Sequence, residues 1–527
     1  MTLPFDGPGR RVNPPMRREA RRLIIALVAL TFIALFLVPW LAGFATDWLW
    51  FRQVGFTPVF VTALEWHVVL FVVGAVVTYA ILGGNLRLAS GRAGKTPALF
   101  IHRVNQPPLD VSHILPRMLR LGALFAAFLV AVSFSALWMT FVQAVHGATV
   151  GTRDALFGRD VGYYMFTLPA MAAVLNVVIA LVVLALAATS VLYVLRGELP
   201  IGPQRGTPDR RAELHVGLQL AALFLLVALR LWFVRSAELL YSTTGPLVGA
   251  SFTDVHFMLP GIRISALAAV VGMGLAVYGA LRGRLLRFTI IAVGIYAGVG
   301  ILARGVIPLA VQKLVVLPNE LAKETPYLMD HIVATRQAWG IDSVQTRSLS
   351  GEATLTMADI EANAPTINNV RLWERDLLQQ TFKQLQEIRT YYDFVSVNDD
   401  RYMIDGQYRQ VHLSARELNS SLLPTQTFIN NRLTFTHGMG VTMAPVNQVT
   451  DEGLPVLFIK DLPPVSTVDI KLTRPQIYYG QLTNSYVFVD TKQKEFDYPA
   501  GDQNIYTSYT GTGGVPVGSF ARRVLYA

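Results

Sequence analysis

The sequence predicts a membrane α-helical bundle of seven transmembrane helices followed by an extracytoplasmic α+β domain. Three observations carry this prediction. Seven apolar runs of membrane-crossing length fill residues 23–302. Arginine and lysine crowd into alternate loops between them. Beyond residue 317 the pattern changes, first to amphipathic helix and then to short strands broken by Gly and Pro.

Composition sets the bounds. The 527 residues are 52% hydrophobic and 15% charged, with a mean hydropathy of +0.42. That is too apolar for an ordinary soluble enzyme. The absence of cysteine excludes disulfides, thiolate metal sites and cysteine nucleophiles. The net charge of +10 divides into +15 for residues 1–317 and −5 for residues 318–527. The basic excess therefore belongs to the apolar half. The second half lacks the basic stripe with interleaved aromatics that single-strand binders need, so no nucleic-acid partner is expected. The expected partner of the first half is the lipid bilayer.

A membrane helix needs about 20 mostly apolar residues, because the hydrocarbon core is about 30 Å thick and each residue rises about 1.5 Å. The qualifying segments are Leu23–Phe44, Phe60–Leu82, Leu121–Phe141, Pro169–Tyr193, Leu214–Phe233, Ile264–Leu281 and Leu285–Leu302. The first is longer than a signal-peptide core and reads as an anchor. Val306–Leu317 is apolar but short, and it carries Gln312 and Lys313, so it reads as the start of the outer domain. The expected plan is an Arg-rich tail (1–22), a seven-span bundle (23–302) and an outer domain (303–527).

Orientation follows from basic residues, which resist translocation. The tail, the loops after spans two and four, and the link at Arg282–Arg287 hold 19 of them. The alternate loops hold only Arg52, Arg153, Arg159, Arg235 and Arg263. This bias predicts a cytoplasmic N-terminus, and an odd number of spans then places residues 303–527 outside. Glu65, His67 and Arg230 fall near span ends and are the candidate intramembrane polar groups. No acid–base ladder crosses the bundle centre. Gly294 and Gly298 form a GxxxG, read as close helix packing.

In the outer domain, Pro318–Trp339 reads as a helix with Glu320 and Glu324 early and Arg336 late. Asn368–Tyr392 reads as an amphipathic helix with Leu372, Leu377, Phe382, Leu385 and Ile388 on its apolar face. Asp405-Gly406 is a hairpin turn between Arg401–Ile404 and Gln407–Leu413. Short strands are expected at Arg432–Phe435, Leu457–Ile459, Gln476–Tyr479 and Ser485–Asp490, and a turn at Asp502.

Three motifs invite chemistry. Ala89–Thr96, ASGRAGKT, approximates a phosphate loop, but an apolar span precedes it and Pro97 follows, so it reads as a basic loop. Thr436–Gly440, THGMG, approximates a lipase oxyanion turn, but the chain has no GxSxG partner. Gly438 and Gly440 then read as turn glycines with positive φ. Asp399, Asp400, Asp405, His412, Glu417 and His437 form a candidate polar cluster. No EF-hand or HExxH spacing accompanies it, so a structurally paired or solvated cluster is expected, with no metal or other cofactor assigned. On a strand from Gln407, His412 shares a face with Tyr408 and Gln410.

Long phrases of the chain resemble a known family. They include FGRDVGYYMFTLP (157–169), LLYSTTGPLVGASFTDV (239–255), LPNELAKETPYL (317–328), RYMIDGQYRQVHLSARELN (401–419), THGMGVTMAPVNQVTDEGLP (436–455) and EFDYPAGDQN (495–504). The family is uncharacterised protein family 0182 (UPF 0182). The resemblance implies a bacterial multi-pass plasma-membrane protein with a large extracytoplasmic region, and no activity or catalytic residue to carry over. It also implies a chain that continues past residue 527, in keeping with the uncapped start at Phe520–Ala527. The expected function is a non-enzymatic envelope binding or scaffolding protein whose outer domain meets an envelope protein or polymer. A transporter or channel would need a polar path through the bundle. A metal-assisted envelope enzyme would need Asp399, Asp400, Asp405 and His412 or His437 to converge.

Overall fold

The computed structural model describes residues 23, 26–28, 30–31, 33–90, 100–103, 106–110, 115–199, 208–348, 351 and 354–526. The tail 1–22 and residues 91–96 of the basic ASGRAGKT loop lie outside them. The chain divides into two compact units, residues 1–345 with 515–527, and residues 346–514.

Among the described residues the first unit holds seven helices long and apolar enough to cross a membrane: Ala26–Gln53, Thr57–Ser90, Arg117–Ser135, Tyr163–Leu195, Arg210–Arg235, Asp254–Leu281 and Leu285–Trp339. Each overlaps one predicted segment. The third stops at Ser135, and a separate short helix, Trp138–His146, follows. The seventh corrects the sequence reading. Val306–Leu317 does not open a separate domain but continues the helix, which runs for 55 residues to Trp339. A small ribbon pairs β1 (Phe100–Arg103) with β2 (Gln106–Asp110).

Proline explains a recurrent irregularity. Leu168, Leu259, Ile307 and Leu317 each donate to the carbonyl five residues back, and each immediately precedes a proline. A proline ring clashes with the carbonyl four residues back and lacks the N–H that would bond it. Widening one turn to π geometry relieves the clash while the chain stays helical. Small residues let the helices approach. Gly261 has no room for a Cβ against the Ala303 carbonyl, and Gly217 none against Ala280. Gly294 and Gly298, read as packing residues, have nothing within 4 Å of where a Cβ would stand. Their face is unpacked within the chain.

The second unit is built on the long strand β5 (Gln407–Leu418). One edge of β5 meets β4 (Asn398–Ile404) and, further along, β3 (Tyr392–Phe394). The other edge pairs with β7 (Val441–Pro445), continued by β8 (Ile459–Lys460) and β9 (Val465–Ser466). β6 (Gly438–Met439) pairs with β10 (Gln476–Ile477), and β11 (Glu495–Ala500) forms a hairpin with β12 (Gln503–Thr507). Asp405 and Gly406 both have positive φ, 51° and 74°. That backbone twist matches the two-residue hairpin turn read from the sequence. β5 is buried on both faces. Val411 packs with Ile404, Met443 and Ile459 on one side. On the other, Arg416 bonds the helix Arg375–Gln386, which buries Leu378 and Phe382.

Several local predictions need correction. The helix expected over Asn368–Tyr392 spans only Arg375–Gln386, and Leu372, Leu377, Leu385 and Ile388 are exposed. Ile388 has φ 61°, which ends the helical path. Asn430–Thr434 is a π turn rather than a strand, and Ser485–Asp490 forms no strand. Gly440 has the expected positive φ, 77°. Gly438 is required for a different reason: the Arg416 carbonyl leaves no room for a Cβ.

Candidate functional site

The six polar residues singled out in the second half of the chain go to three places. Asp399 and His412 are opposite each other in the β4–β5 register. His412 is fully buried, and its Nδ1 lies 2.6 Å from Asp399 Oδ1. The contact is close and electrostatic, but its angle falls outside hydrogen-bond geometry, and Nε2 has no partner. Asp399 also takes Arg375 Nε at 3.1 Å and Arg371 Nη1 at 3.5 Å. Burial pushes Asp399 up, but Arg375 and His412 outweigh it and hold the carboxyl below its usual range. Burial depresses His412, and Asp399 only partly offsets that. Asp400 and Asp405 are exposed, Asp400 capping the Arg401 amide at 2.8 Å. The convergence that a metal-assisted reading requires is not formed. No group of three His, Cys, Asp or Glu that could hold a metal occurs among the described residues.

Glu417 and His437 do come together, lining one solvent-open cleft of about 480 Å³ in the second unit. β6 places His437 at its floor, and β11 supplies what lies beneath. Side chains two apart on a strand share a face, so Glu495 and Asp497 flank the imidazole. Asp497 Oδ1 is 3.2 Å from Nε2, and Glu495 Oε2 is 3.6 Å from Nδ1. A register shift between Phe496 and Tyr498 leaves Asp497 out of the ladder, a bulge that re-aims a strand side chain. Glu495 Oε2 also accepts the Thr436 hydroxyl at 2.6 Å and the Tyr478 hydroxyl at 2.8 Å, and Oε1 accepts the Tyr509 amide at 3.1 Å. Gln476 donates to Asp497 at 3.1 Å.

The electrostatics follow from this packing. Burial pulls His437 down, but Asp497 and Glu495 outweigh it and hold the imidazole above its usual pKa. Burial pushes Glu495 up, and the bonds from His437, Thr436 and Tyr478 reverse the sign. Burial and the Glu495 bond push the Tyr478 hydroxyl up. The result is an imidazole held between two carboxylates under a polar cleft. Its wall holds Asn431, whose Nδ2 bonds Gln426 at 2.8 Å while Oδ1 is buried without a partner. Beside it the Arg432 guanidinium stacks 4.6 Å over the Tyr486 ring. Sequence reading missed Glu495, Asp497, Tyr478 and Asn431. The signal for the first two was E-x-D before a hairpin turn, which puts both acids on one strand face.

In the helical unit, Glu65 is exposed on its helix. His67 bonds its own helix at Ala63 O, 2.7 Å, and stacks on Trp138. Arg230 bonds Asn176 at 2.6 Å and faces Glu238 at 3.8 Å. The three do not converge. A different, uncharged set does. His215 reaches Asn85 at 2.9 Å and the Tyr193 hydroxyl at 2.8 Å. Gln219 donates to Asn85 at 2.7 Å and accepts from Thr189 at 2.8 Å. A scan for acids and bases overlooks this set. Its signal is polar pairs four residues apart, Thr189/Tyr193 and His215/Gln219, on otherwise apolar helices.

Comparison with known proteins places these features in context. The family model described as Uncharacterised protein family (UPF0182) matches residues 23–527. A UPF0182 protein of Pelobacter propionicus is 39% identical over 510 residues, covering 96% of this chain and 56% of that protein. Another from a Geobacter species is 39% identical over 515 residues, with the same coverage. One from Bradyrhizobium diazoefficiens is 37% identical over 551 residues, covering 100% of this chain and 58% of its own. The chain thus spans a little over half the length of these curated relatives. No solved structure matches.

Proposed function

Starting from the fact that the chain belongs to the uncharacterised family UPF0182, we propose that it is an integral protein of the bacterial plasma membrane that binds a hydroxyl-rich envelope polymer through its strand-rich unit. The seven apolar helices and the bacterial relatives support a membrane protein. The arginine asymmetry supports a cytoplasmic N-terminus with the strand-rich unit outside.

One observation carries the ligand class. Asn431 Oδ1 is a buried acceptor without a donor in the cleft wall, and an unmade hydrogen bond is costly. Around it are Ser420, Thr483 and Asn484, with Phe435 and Tyr478 as flat apolar faces. Amide and hydroxyl groups interleaved with aromatics suit a polyol better than a charged or purely apolar ligand. The reading is non-enzymatic because both ring nitrogens of His437 face carboxylates. A base needs a free nitrogen near its operating pH. The full chain in detergent, titrated with soluble cell-wall glycan fragments by calorimetry, should bind, and Asn431→Ala should weaken binding about tenfold. Equal heats for the variant and the wild type refute the site.

The Asn85–His215–Gln219 set favours a second reading, passage of a small polar solute between the helices. Flux into proteoliposomes that falls with Gln219→Leu would support it.

A further inference from the structure

Glu324 is 1% exposed, and its Oε1 has no hydrogen-bond partner. It lies on the long seventh helix and lines a cleft of about 240 Å³ with Ser251, Tyr327 and the loop 246–250. Its Oε2 accepts the Phe252 amide at 3.0 Å. Two residues on, Asp254 is also 1% exposed, and its Oδ2 takes the Ser251 amide at 3.2 Å and hydroxyl at 2.9 Å. Two buried carboxylates therefore bond the start of one helix, Glu324 at Phe252 and Asp254 at Ser251. The partial positive charge of a helix N-terminus, about half a unit, would offset only part of the charge were both ionised.

Among the described residues no salt bridge to Glu324 or Asp254 is formed. Lys323 sits over the Phe252 ring, 5.1 Å from its centroid. His331 is engaged elsewhere, with Nε2 on the Val248 carbonyl at 3.0 Å. A buried, charged oxygen left unpaired is expensive. Depth decides what can reach it. The helix from Asp254 to Leu281 has 28 residues, roughly 42 Å at 1.5 Å per residue, against about 30 Å of hydrocarbon. Its Asp254 end, opposite the Arg282–Arg284 link, therefore extends past the hydrocarbon into water.

We propose that Glu324 and Asp254 hold a hard divalent cation, Ca²⁺ in class, entered through this cleft. Carboxylates with backbone carbonyls and waters are the shell that Ca²⁺ takes. Two acids without a third His, Cys, Asp or Glu disfavour a transition metal. The ion would tie the loop 242–251 to the seventh helix. This site lies in the helical unit and does not depend on the glycan reading.

The test uses the full chain in detergent with Tb³⁺ as the probe and Ca²⁺ as competitor. Tyr327 lines the cleft and should sensitise Tb³⁺ emission. Saturable emission displaced by Ca²⁺ is expected, together with a Ca²⁺-dependent rise in Tm. Glu324→Gln should weaken both at least tenfold in ion concentration, while Asp330→Asn, exposed on the same helix, should change neither. Tyr327→Phe should lose most of the emission and keep the Ca²⁺-dependent Tm rise, which preserves the test if Glu324→Gln fails to fold. Emission unchanged by Tyr327→Phe, or a wild-type Tm indifferent to Ca²⁺, overturns the proposal and leaves Glu324 as a neutral buried acid.

Discussion

His437 Nε2 lies 3.2 Å from Asp497 Oδ1, across 60 residues of sequence, with the Thr436 hydroxyl at 2.9 Å and Glu495 at 3.6 Å from the other ring nitrogen. This pairing sets a pH signature. The folded pKa of His437 is raised, so its stabilisation is complete below the unfolded value near 6.5 and fades as pH rises through the folded value. Glu495 is lowered, so its contribution is present above about 4.5 and fades as pH falls. Together they favour the window between those values. His412, depressed by burial, has the opposite slope to His437. The quantity to measure is therefore the difference in unfolding midpoint between wild type and His437→Gln. It should shrink from pH 6 to pH 8. A difference independent of pH shows that His437 is neutral in the fold.

Arg416 forms no salt bridge among the described residues. It is fully buried, with Nε on Gln386 O at 2.9 Å, Nη1 on Met439 O at 3.0 Å and Asp461 O at 3.2 Å, and Nη2 on Gln386 Oε1 at 3.2 Å. Burial depresses it to about 10. Its fork clamps the helix Arg375–Gln386 to β6 and to the backbone at Asp461, a geometry lysine does not reproduce. Arg416→Ala leaves buried carbonyls unpaired and a cavity, at a cost of about 3–5 kcal/mol. Arg416→Lys should cost more than about 1.5 kcal/mol. Urea unfolding followed by proteolysis of the second unit measures both, and a near-neutral Arg416→Lys contradicts the clamp.

Asp399 holds the hairpin to Arg371, ahead of the helix, and to Arg375, its first residue. The pairs are partly exposed, so Asp399→Asn should cost only about 1 kcal/mol. Peptides covering 398–413 should exchange amide hydrogens several times faster. Asp400→Asn should leave them unchanged, because exposed Asp400 bonds within its own strand, to the Arg401 amide and the Tyr402 hydroxyl.

Hydrogen bonds between helices in a membrane average about 0.6 kcal/mol and reach about 1.7. Gln219→Leu removes bonds to both Asn85 and Thr189 and should cost about 1–2 kcal/mol. His215→Leu in the Gln219→Leu background should then cost less than it does alone, since both act on Asn85. Denaturation in mixed micelles gives the four stabilities, and strict additivity rules out a shared network.

The hairpin at Asp405-Gly406 was legible because two residues determine its twist. The π turns that lead into prolines were legible in principle, from the missing N–H and the ring's clash with the preceding turn. The apolar faces were harder. Leu377 and Leu385 fit a helical period as well as Leu378 does, yet only Leu378 is buried. Period locates a helix and leaves open which side finds a partner. GxxxG at Gly294 permits a close neighbour, but none within the chain uses it.

By itself the sequence determined seven apolar helices, the uneven placement of basic residues and a strand-rich region after them. Each of these is a local property, the transfer preference of a contiguous segment or the charge of one loop. Tertiary structure alone decided which polar groups meet: His437 with Glu495 and Asp497, His215 with Asn85 at a separation of 130 residues, and Glu324 with the helix start at Phe252. Those pairings depend on which groups are taken out of water together. Desolvation is set by the packing of distant segments, and no window of neighbouring residues contains it.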